Sequence, residues 1–467
     1  MKKTMNSIHS SNGWRNGVLT TLILTTTLSV LSTSTEAPKT ERLPNFVIIF
    51  TDDQGYGDIG CFGSPTIKTP RLDRMAREGR RFTSFYVAAP VCTPSRAALM
   101  TGCYPQRVSL PTVLFPRDRI GINDDETTVA EVLKTRGYAT ACIGKWHLGH
   151  LPPFLPTRHG FDRYFGIPYS NDMNPAVLMR NEDIIENPAV QTTLTERYTQ
   201  EAIKFITENK NRPFFLYLPH TMPHTPLHVS ERFAGKSKRG LYGDVIECLD
   251  WSTGQILDTL DELGLDKNTL VIYTTDNGPW YTQGVNGGSA GPLRGAKATT
   301  FEGGMRVPCI MRWPGRIPPA TVCMELTTSM DLLPTLAGLA GAKLPTDRII
   351  DGKDVWPLMA GQPGAKDPNE AFFYYRGYRL EAVRSGKWKL SFERGAGKRT
   401  LPENRKNAPE SLYDLEVDPS EKYNVIDKHG DVAVCLRELA EQMREDLGDT
   451  ITRRAGRNRR PAGEIKP

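Results

Sequence analysis

The segment Pro90–Gly102 has the residue types and spacing to hold an anion beside a reactive side chain. Cys92 is closely followed by Pro94, which favours the first turn of a helix, and Ala97–Met100 continue a helical pattern. We therefore expect Cys92 at a helix N-terminus, where free N–H groups favour negative charge. Arg96 lies one turn later and adds a fixed cation. A buried structural cysteine and a thiolate nucleophile are both compatible with this segment taken alone.

Four short apolar runs elsewhere in the chain lead into residues that can bind a metal ion or transfer a proton. The runs are Asn45–Phe50, Tyr138–Ile143, Pro213–Leu218 and Leu270–Thr275. The polar residues that follow them are, in the same order, Asp52 and Asp53; Lys145 and His147; His224; and Asp276 and Asn277. Continuous β-branched and aromatic runs suit strands that are covered on both faces. Because ligands bind at the carboxyl ends of such strands, we expect these residues to converge in one site.

The predicted metal ligands are the oxygen atoms of Asp52, Asp53, Asp276 and Asn277. Hard oxygen ligands suit Ca²⁺ or Mg²⁺ better than zinc. Three carboxylates in one place would repel one another without a cation, so a metal explains how they can converge. The alternative, in which each aspartate only caps the helix that follows it, explains one aspartate better than it explains the set.

A zinc site is the other metal centre that the histidines suggest. His220, His224 and His228 recur every four residues, which on a helix would place them on one face. Three prolines in the same stretch oppose a helix, so we set zinc aside and interpret His220 as a structural neighbour. The eight cysteines are widely spaced and resemble neither a disulfide scaffold nor a CxxC zinc site.

The elements that must position these residues alternate between strands and helices, which predicts an α/β fold with a large, doubly wound mixed sheet flanked by helices. The predicted helices are Thr127–Arg136, Thr195–Asn209 and Tyr242–Leu263. This domain would span residues 44–365. A smaller antiparallel sheet with one helix is predicted over residues 370–450, and its polar loop Glu393–Pro409 is expected to be mobile. The predicted strands and helix of this part are Phe372–Tyr375, Glu381–Arg384, Trp388–Phe392, Leu412–Asp414 and Val432–Leu447.

Charge is concentrated at the two ends of the chain. The formal net charge of +6 resides mostly in the tail 451–467 and the first 37 residues, which excludes a chain-wide basic surface for nucleic acid. We expect the tail to be a flexible, solvated end. At the N-terminus, basic residues precede the apolar run Gly17–Leu31 and small residues up to Ala37. This pattern predicts a signal peptide over 1–37 and export to a periplasm or the exterior, while the run is too short for a stable membrane span.

Several of these motifs together resemble the type I sulfatases, which belong to the alkaline phosphatase superfamily. Cys92–Arg96 (CTPSR) resembles the family's C-x-P-S-R signature, in which the cysteine is oxidised to formylglycine. Gly144–Gly149 (GKWHLG) resembles its second signature, and Lys297 matches its sulfate-binding lysine. The resemblance extends from about residue 44 to 425. Within the family, the stretch Gly288–Pro308 is most similar to the arylsulfatase A and N-acetylgalactosamine-6-sulfatase groups.

The resemblance implies an alkaline phosphatase-like fold and a role for each predicted site residue. One Ca²⁺ would be bound by the four predicted oxygen ligands together with residue 92. Hydrated formylglycine would attack sulfur to give a covalent sulfated enzyme, and a formylglycine-generating enzyme would be the maturation partner. Arg96 would hold the hydrate, and Lys145 and Lys297 would bind the sulfate oxygens. His147 would be the base for the second hydroxyl, and His224 would be the acid for the leaving alcohol.

The resemblance also implies a substrate class, a sulfated carbohydrate, with galactose-type sugars favoured by similarity to the galactosamine-6-sulfatases. The loops Leu151–Asn187 and Pro279–Gly291 are the predicted determinants of specificity. Trp280 and Tyr281 could stack on a sugar ring, or Trp280 could pack within its own loop. Two other functions are open: a phosphate or phosphonate monoester hydrolase of the same superfamily, and a non-catalytic relative that binds sulfated glycans.

Overall fold

The computed structural model describes residues 42–392 and 409–466. The predicted signal peptide and residues 393–408 of the predicted mobile loop lie outside these described residues. The described residues belong to one compact unit. Within the described part of the chain, no helix combines the length and apolar character needed to cross a membrane.

The elements alternate much as the sequence predicts. The strands are β1 (Asn45–Thr51), β2 (Arg80–Tyr86), β3 (Ile120–Gly121), β4 (Ala139–Ile143), β5 (Arg163–Gly166), β6 (Leu178–Arg180), β7 (Asp183–Glu186), β8 (Phe214–Pro219), β9 (Thr269–Thr275), β10 (Arg306–Arg312), β11 (Thr321–Cys323), β12 (Thr327–Thr328), β13 (Phe372–Arg376), β14 (Arg379–Ser385), β15 (Trp388–Ser391), β16 (Ser411–Asp414), β17 (Gly448–Asp449), β18 (Arg454–Ala455) and β19 (Gly463–Glu464). The α-helices are α1 (Pro70–Glu78), α2 (Cys92–Thr101), α3 (Val129–Lys134), α4 (Leu194–Glu208), α5 (Leu241–Glu262), α6 (Glu302–Met305), α7 (Leu332–Ala340), α8 (Trp356–Met359) and α9 (Gly430–Leu447).

An eleven-stranded mixed sheet forms the centre, in the order β11-β2-β10-β9-β1-β8-β4-β5-β6-β7, with β12 also paired to β2. The four strands predicted to carry the site are adjacent, and β1 runs parallel to both β8 and β9 while β4 runs parallel to β8. Alternate residues of β1 enter two different hydrophobic cores, Phe46 and Ile48 on one face and Val47 and Ile49 on the other. This double burial explains the unbroken apolar runs and places the four carboxyl ends at one edge.

The predicted C-terminal sheet is present as β13-β14-β15-β16, and each neighbouring pair is antiparallel. Its inward side chains, among them Tyr374 and Leu390, belong to the same hydrophobic core as Phe46 of the central sheet. Helix α9 contributes Leu436 to that core. The smaller sheet and the central sheet therefore share a core.

The prediction of a flexible tail over 451–467 is wrong for the residues that the structure describes there. β18 pairs with β17, and β19 pairs with β3 in the body of the protein. Arg460 donates from Nε to Oε1 of the buried Glu126 at 2.7 Å, and the Ser109 hydroxyl donates to the Arg460 carbonyl at 2.6 Å. The physical reason is that Arg460 finds its acceptor in Glu126, 334 residues away in sequence, and Arg454 pairs with Glu441 on α9. Composition cannot reveal these partners.

A buried arginine joins the loop after α2 to the C-terminal helix. Arg107 is 1% exposed, and its Nη2 lies 2.6 Å from Asp351 Oδ1 and 2.6 Å from Asp446 Oδ2. Arg107→Ala would leave the two carboxylates without their cation, so we expect the free energy of unfolding to fall by about 3–5 kcal/mol in urea denaturation. Arg437→Ala, which breaks an exposed pair with Glu410, is the matched control and should cost less than about 1 kcal/mol. Equal losses in the two variants would contradict the prediction.

Candidate active site

The predicted oxygen ligands converge at the carboxyl ends of β1 and β9. Asp53 has a left-handed backbone (φ 66°), which is uncommon outside glycine, and its N–H donates to Asp276 Oδ1 at 3.1 Å. The Asn277 amide donates from Nδ2 to Asp53 Oδ1 at 2.7 Å. Asp52, the fourth member, is fully buried like Asp276. Four buried oxygen-bearing side chains therefore meet, as the sequence predicts.

Cys92 is the first residue of α2, and Val91 precedes it in extended conformation without a side-chain cap. The thiol donates to Asp52 Oδ1 at a Sγ–Oδ1 distance of 3.7 Å. Burial raises the pKa of the Cys92 thiol to about 12, although Lys145 and Lys297 act to lower it. Burial therefore favours the neutral thiol over the thiolate in the unmodified residue.

Two buried cations lie among the carboxylates. Arg96 Nη2 is 2.8 Å from Asp276 Oδ2 and 3.3 Å from Asp52 Oδ2, and Nη1 donates to the Lys145 carbonyl at 2.9 Å. Lys145 Nζ forms an ion pair with Asp52. Burial alone would raise the pKa of Asp52, but Lys145, His224 and Arg96 together hold that pKa far below its usual value. Asp52 is therefore an anion that neighbouring cations stabilise.

His147 has one ring nitrogen free for chemistry. Its Nε2 lies 2.9 Å from the Leu114 carbonyl, which can only accept, so Nε2 carries the proton. Nδ1 is buried and has no hydrogen-bond partner among the described residues. Burial, and secondarily Lys145, lower the pKa of His147 well below its usual value. The imidazole is therefore neutral, and its unprotonated Nδ1 is free to accept a hydrogen bond or a proton.

Lys297 and His224 both approach Asp53. Lys297 Nζ lies 2.6 Å from Asp53 Oδ2, and His224 Nε2 lies 3.6 Å from the same oxygen. The Nδ1 of His224 faces two acceptors, Asn171 Oδ1 at 3.1 Å and the Thr225 carbonyl at 2.7 Å. These acceptors place the proton of a neutral imidazole on Nδ1, so Nε2 is the nitrogen that faces the site.

The buried donor set fits a hard divalent cation. The ligand atoms of Asp52, Asp53, Cys92 and His224 lie within 4.8 Å of one another. This group shares Asp52, Asp53 and Cys92 with the predicted ligand set, and His224 joins it in place of Asp276. Burial, and secondarily the neighbouring Asp52 carboxylate, raise the pKa of Asp276 to about 7, and a bound cation would oppose both effects. In the described part of the chain, the buried Oδ1 of Asn277 has no donor. Carboxylate and amide oxygens are the ligands that Ca²⁺ prefers.

Two site residues that the sequence motifs do not reveal follow β5. Ser170 accepts a hydrogen bond from Lys145 Nζ at 3.1 Å, and Asn171 orients His224. β5 pairs in parallel with β4, so its carboxyl end reaches the same edge of the sheet. Both residues follow the carboxyl end of a strand, as the other site residues do, but this four-residue strand is too short to recognise in the sequence. His220, in contrast, lies outside the group and contacts the Ser252 hydroxyl at 3.3 Å, as a structural histidine would.

Trp280 packs against two site residues. Its ring centroid is 4.3 Å from Lys297 Nζ and 5.3 Å from the centroid of the His224 ring. Neither predicted role, sugar stacking or packing within its own loop, includes these contacts. The adjacent Tyr281 is 48% exposed and remains available as a stacking surface.

A double-mutant cycle tests whether Trp280 acts through Lys297. We expect Trp280→Ala to lower kcat/KM for a small aryl sulfate about 5–30-fold, because a buried cation–π contact is worth about 1–2 kcal/mol. In a Lys297→Ala background the same change should have less than about a twofold effect, since coupled residues are not additive. Tyr281→Ala serves as the neighbouring control. Equal losses from Trp280→Ala in both backgrounds would refute the coupling.

Comparisons with known proteins agree with this geometry. Residues 44–342 match the family model described as Sulfatase, and residues 296–449 match the model described as N-sulphoglucosamine sulphohydrolase, C-terminal. Arylsulfatase A of Homo sapiens is 41% identical over 447 residues, covering 86% of this chain and 87% of the relative. N-acetylgalactosamine-6-sulfatase of Canis lupus familiaris is 43% identical over 376 residues, covering 75% of this chain and 72% of the relative.

The solved structures give the same result for the fold. The crystal structure of Ps i-CgsB in complex with k-i-k-neocarrahexaose superposes with a TM-score of 0.75 at 29% identity, covering 86% of this chain and 93% of that chain. The predicted alkaline phosphatase-like fold, with its mixed sheet and smaller antiparallel sheet, is confirmed. With a family model over more than half of its length and relatives above 40% identity, the chain belongs to the sulfatase family and is an enzyme that hydrolyses sulfate esters.

Proposed function

We propose that this sulfatase removes sulfate from a sulfated carbohydrate of galactose or N-acetylgalactosamine type, using a nucleophile made by oxidising Cys92 to formylglycine. The observation that carries the proposed nucleophile is the position of Cys92. It lies at the start of α2 beside Asp52, and it interacts electrostatically with Lys145 and Lys297. The names of two relatives support the sugar class, N-acetylgalactosamine-6-sulfatase and the neocarrahexaose complex of Ps i-CgsB.

We propose that Asp52, Asp53, Asp276, Asn277 and residue 92 hold one Ca²⁺. When bound, the ion would supply positive charge beside the nucleophile and the sulfate. Lys145 and Lys297, whose ammonium groups lie at Asp52 and Asp53, would bind sulfate oxygens and stabilise charge in the transition state.

Residue 92 supplies the covalent chemistry in this proposal. As a hydrated aldehyde it has two hydroxyls on one carbon, one to attack sulfur and one whose deprotonation expels sulfate and restores the aldehyde. His147 receives that proton at Nδ1, the free nitrogen, while Nε2 keeps its hydrogen bond to Leu114. Arg96, fixed by two carboxylates, orients the hydrate.

His224 is the proposed acid for the leaving alcohol. A neutral imidazole with its proton on Nδ1 must first gain a proton at Nε2, and Asp53 at 3.6 Å stabilises that charge. The proton then passes from Nε2 to the oxygen of the departing sugar, so the S–O bond breaks to give a neutral alcohol.

We further propose that the chain is exported and that a formylglycine-generating enzyme modifies Cys92. The basic, apolar and small-residue pattern of residues 1–37 supports export. The C-x-P-S-R pattern at Cys92 supports recognition by the modifying enzyme.

Release of inorganic sulfate from a panel of sulfated sugars tests the substrate class. Matured enzyme would be incubated with 6-sulfated and 4-sulfated galactose, N-acetylgalactosamine and N-acetylglucosamine, and sulfate measured by ion chromatography, with Cys92→Ala as the blank. We expect release from the galactose-configured sugars in preference to the glucose-configured one. Faster cleavage of a phosphate or phosphonate monoester would favour the hydrolase alternative, and sugar binding without release would favour the non-catalytic one.

A further inference from the structure

A surface turn next to the site carries an aromatic ring and an arginine that the proposed chemistry does not use. The turn, Phe115–Asp118, begins directly after Leu114. The Leu114 carbonyl accepts from His147 Nε2 at 2.9 Å, and the Leu114 N–H donates to Thr93 Oγ1 at 3.2 Å. Thr93 neighbours Cys92, so Leu114 contacts both His147 and the residue next to Cys92. The turn begins at the following residue.

The turn is held in one conformation by its own hydrogen bonds. The Phe115 N–H donates to Asp118 Oδ2 at 2.7 Å, and the Asp118 N–H donates to the Phe115 carbonyl at 2.9 Å. The Arg117 guanidinium lies 5.5 Å from the centre of the Phe115 ring. The backbone of the turn therefore needs little ordering when a ligand binds.

The charge of Arg117 is available to a ligand. Among residues 42–392 and 409–466 its guanidinium forms no ion pair or hydrogen bond, and the side chain is exposed. Arg119, two residues further on, is in contrast occupied, because its Nε donates to the Ile465 carbonyl at 3.1 Å. A free guanidinium suits bidentate binding of a sulfate group. Phe115 is 45% exposed and offers an apolar face beside it.

A second loop brings further ring surface to the same part of the molecule. The His150 and Tyr169 rings pack edge to face with centroids 5.5 Å apart. Tyr169 directly precedes Ser170, which contacts Lys145, and His150 follows His147 by three residues. The Ile122 N–H, four residues after Asp118, donates to the Leu148 carbonyl at 2.8 Å. The chain that leads out of the turn therefore passes next to the segment that carries His150.

We propose that Phe115 and Arg117 form a subsite for a second sulfate group, on a sugar next to the one that is desulfated. Phe115 packs against the apolar face of that sugar, and Arg117 binds its sulfate. The inference rests on the proposed carbohydrate substrate and deepens it, because it selects a multiply sulfated chain over an isolated monosulfated sugar.

The test measures competitive inhibition of aryl sulfate hydrolysis by an oligosaccharide that carries several sulfates. We expect Arg117→Ala to raise the inhibition constant about 10-fold or more, as loss of a hydrogen bond to a charged group predicts. Phe115→Ala should raise it about 2–10-fold. For Arg117→Ala, the fold increase in the inhibition constant should exceed the fold loss of kcat/KM for the aryl sulfate by at least about fivefold. Added salt should weaken inhibition of the wild type more than inhibition of Arg117→Ala.

Arg437→Ala is the control for loss of a surface charge remote from the turn. It should leave the inhibition constant and kcat/KM for the aryl sulfate within about twofold of the wild-type values. The subsite is refuted if Arg117→Ala changes inhibition no more than this control does, or if the oligosaccharide does not inhibit the wild type. Should the wild type hydrolyse no sulfate ester, the proposed function fails instead. In that case, calorimetry would measure the affinity of the oligosaccharide for the wild type, Arg117→Ala and Arg437→Ala. Weaker binding by Arg117→Ala alone would support the subsite, and equal affinities would refute it.

Discussion

Cys92→Ala and Cys92→Ser are both expected to lose at least about 10⁴-fold in kcat for sulfate-ester hydrolysis, the scale of loss seen when a covalent nucleophile is removed. Serine keeps an oxygen at the start of α2 but provides only one hydroxyl, so no second hydroxyl can collapse to release sulfate. Alanine removes the nucleophile altogether. The assay is release of an aryl alcohol, with thermal unfolding to show that both variants remain folded.

The same prediction has a readout that does not depend on activity. In protein made with a formylglycine-generating system, the peptide that contains residue 92 should be about 18 Da lighter than its cysteine form, because CH₂–SH is replaced by an aldehyde. Cys435, which is exposed on α9, is the internal control and should keep its cysteine mass. Full activity in protein whose residue 92 remains a thiol would overturn the proposed nucleophile.

Removal of divalent cations should lower kcat/KM at least about 100-fold and destabilise the fold. Three buried carboxylates would then face one another with only the protein's own cations to balance them. Returning Ca²⁺ should restore both properties. Its stabilisation follows RT ln(1 + [L]/Kd), about 4 kcal/mol at 1,000 times Kd. Chelation followed by activity assays and thermal unfolding over a calcium series measures both effects.

A pair of aspartate variants makes the calcium test specific. Asp53→Asn should lose the calcium response, because Asp53 joins Asp276, Asn277 and Lys297 at the centre of the site. Asp331→Asn is the control, since Asp331 is equally buried but serves backbone N–H groups of Thr328 and Lys353. A chelated wild type with full activity and an unchanged unfolding temperature would contradict the metal proposal.

The sequence predicts an element well when its consecutive residues share the same buried environment. β1 is buried on both faces. Every residue of Asn45–Thr51 is therefore either apolar or forms its side-chain hydrogen bonds inside the protein, and the run is visible without a structure. The parallel arrangement then brings Asp52 and Asp276 together, because β1 and β9 are in register up to Thr51 and Thr275. Local pattern and topology together were sufficient for this part of the site.

The residues that the sequence does not predict depend on contacts between distant segments. Trp280 is an aromatic residue in a loop until the fold places it on Lys297 and His224. The free nitrogen of His147 follows from the position of the Leu114 carbonyl, which no motif encodes. Asn171 follows a strand too short to detect. In each case the decisive partner lies outside the local window that periodicity and capping rules describe.

The attachment of the C-terminal segment also sets an order of events during synthesis. Arg107 bonds the Asn458 carbonyl across 351 residues, and β19 closes on β3 beside the loop that supports His147. At a translation rate of about 5–20 residues per second, the ribosome needs roughly 20–70 s to make that intervening stretch. Cys92 is only 2% exposed in the finished fold. If the proposed formylglycine-generating enzyme modifies Cys92, it would therefore have to reach the thiol before the fold around it is complete.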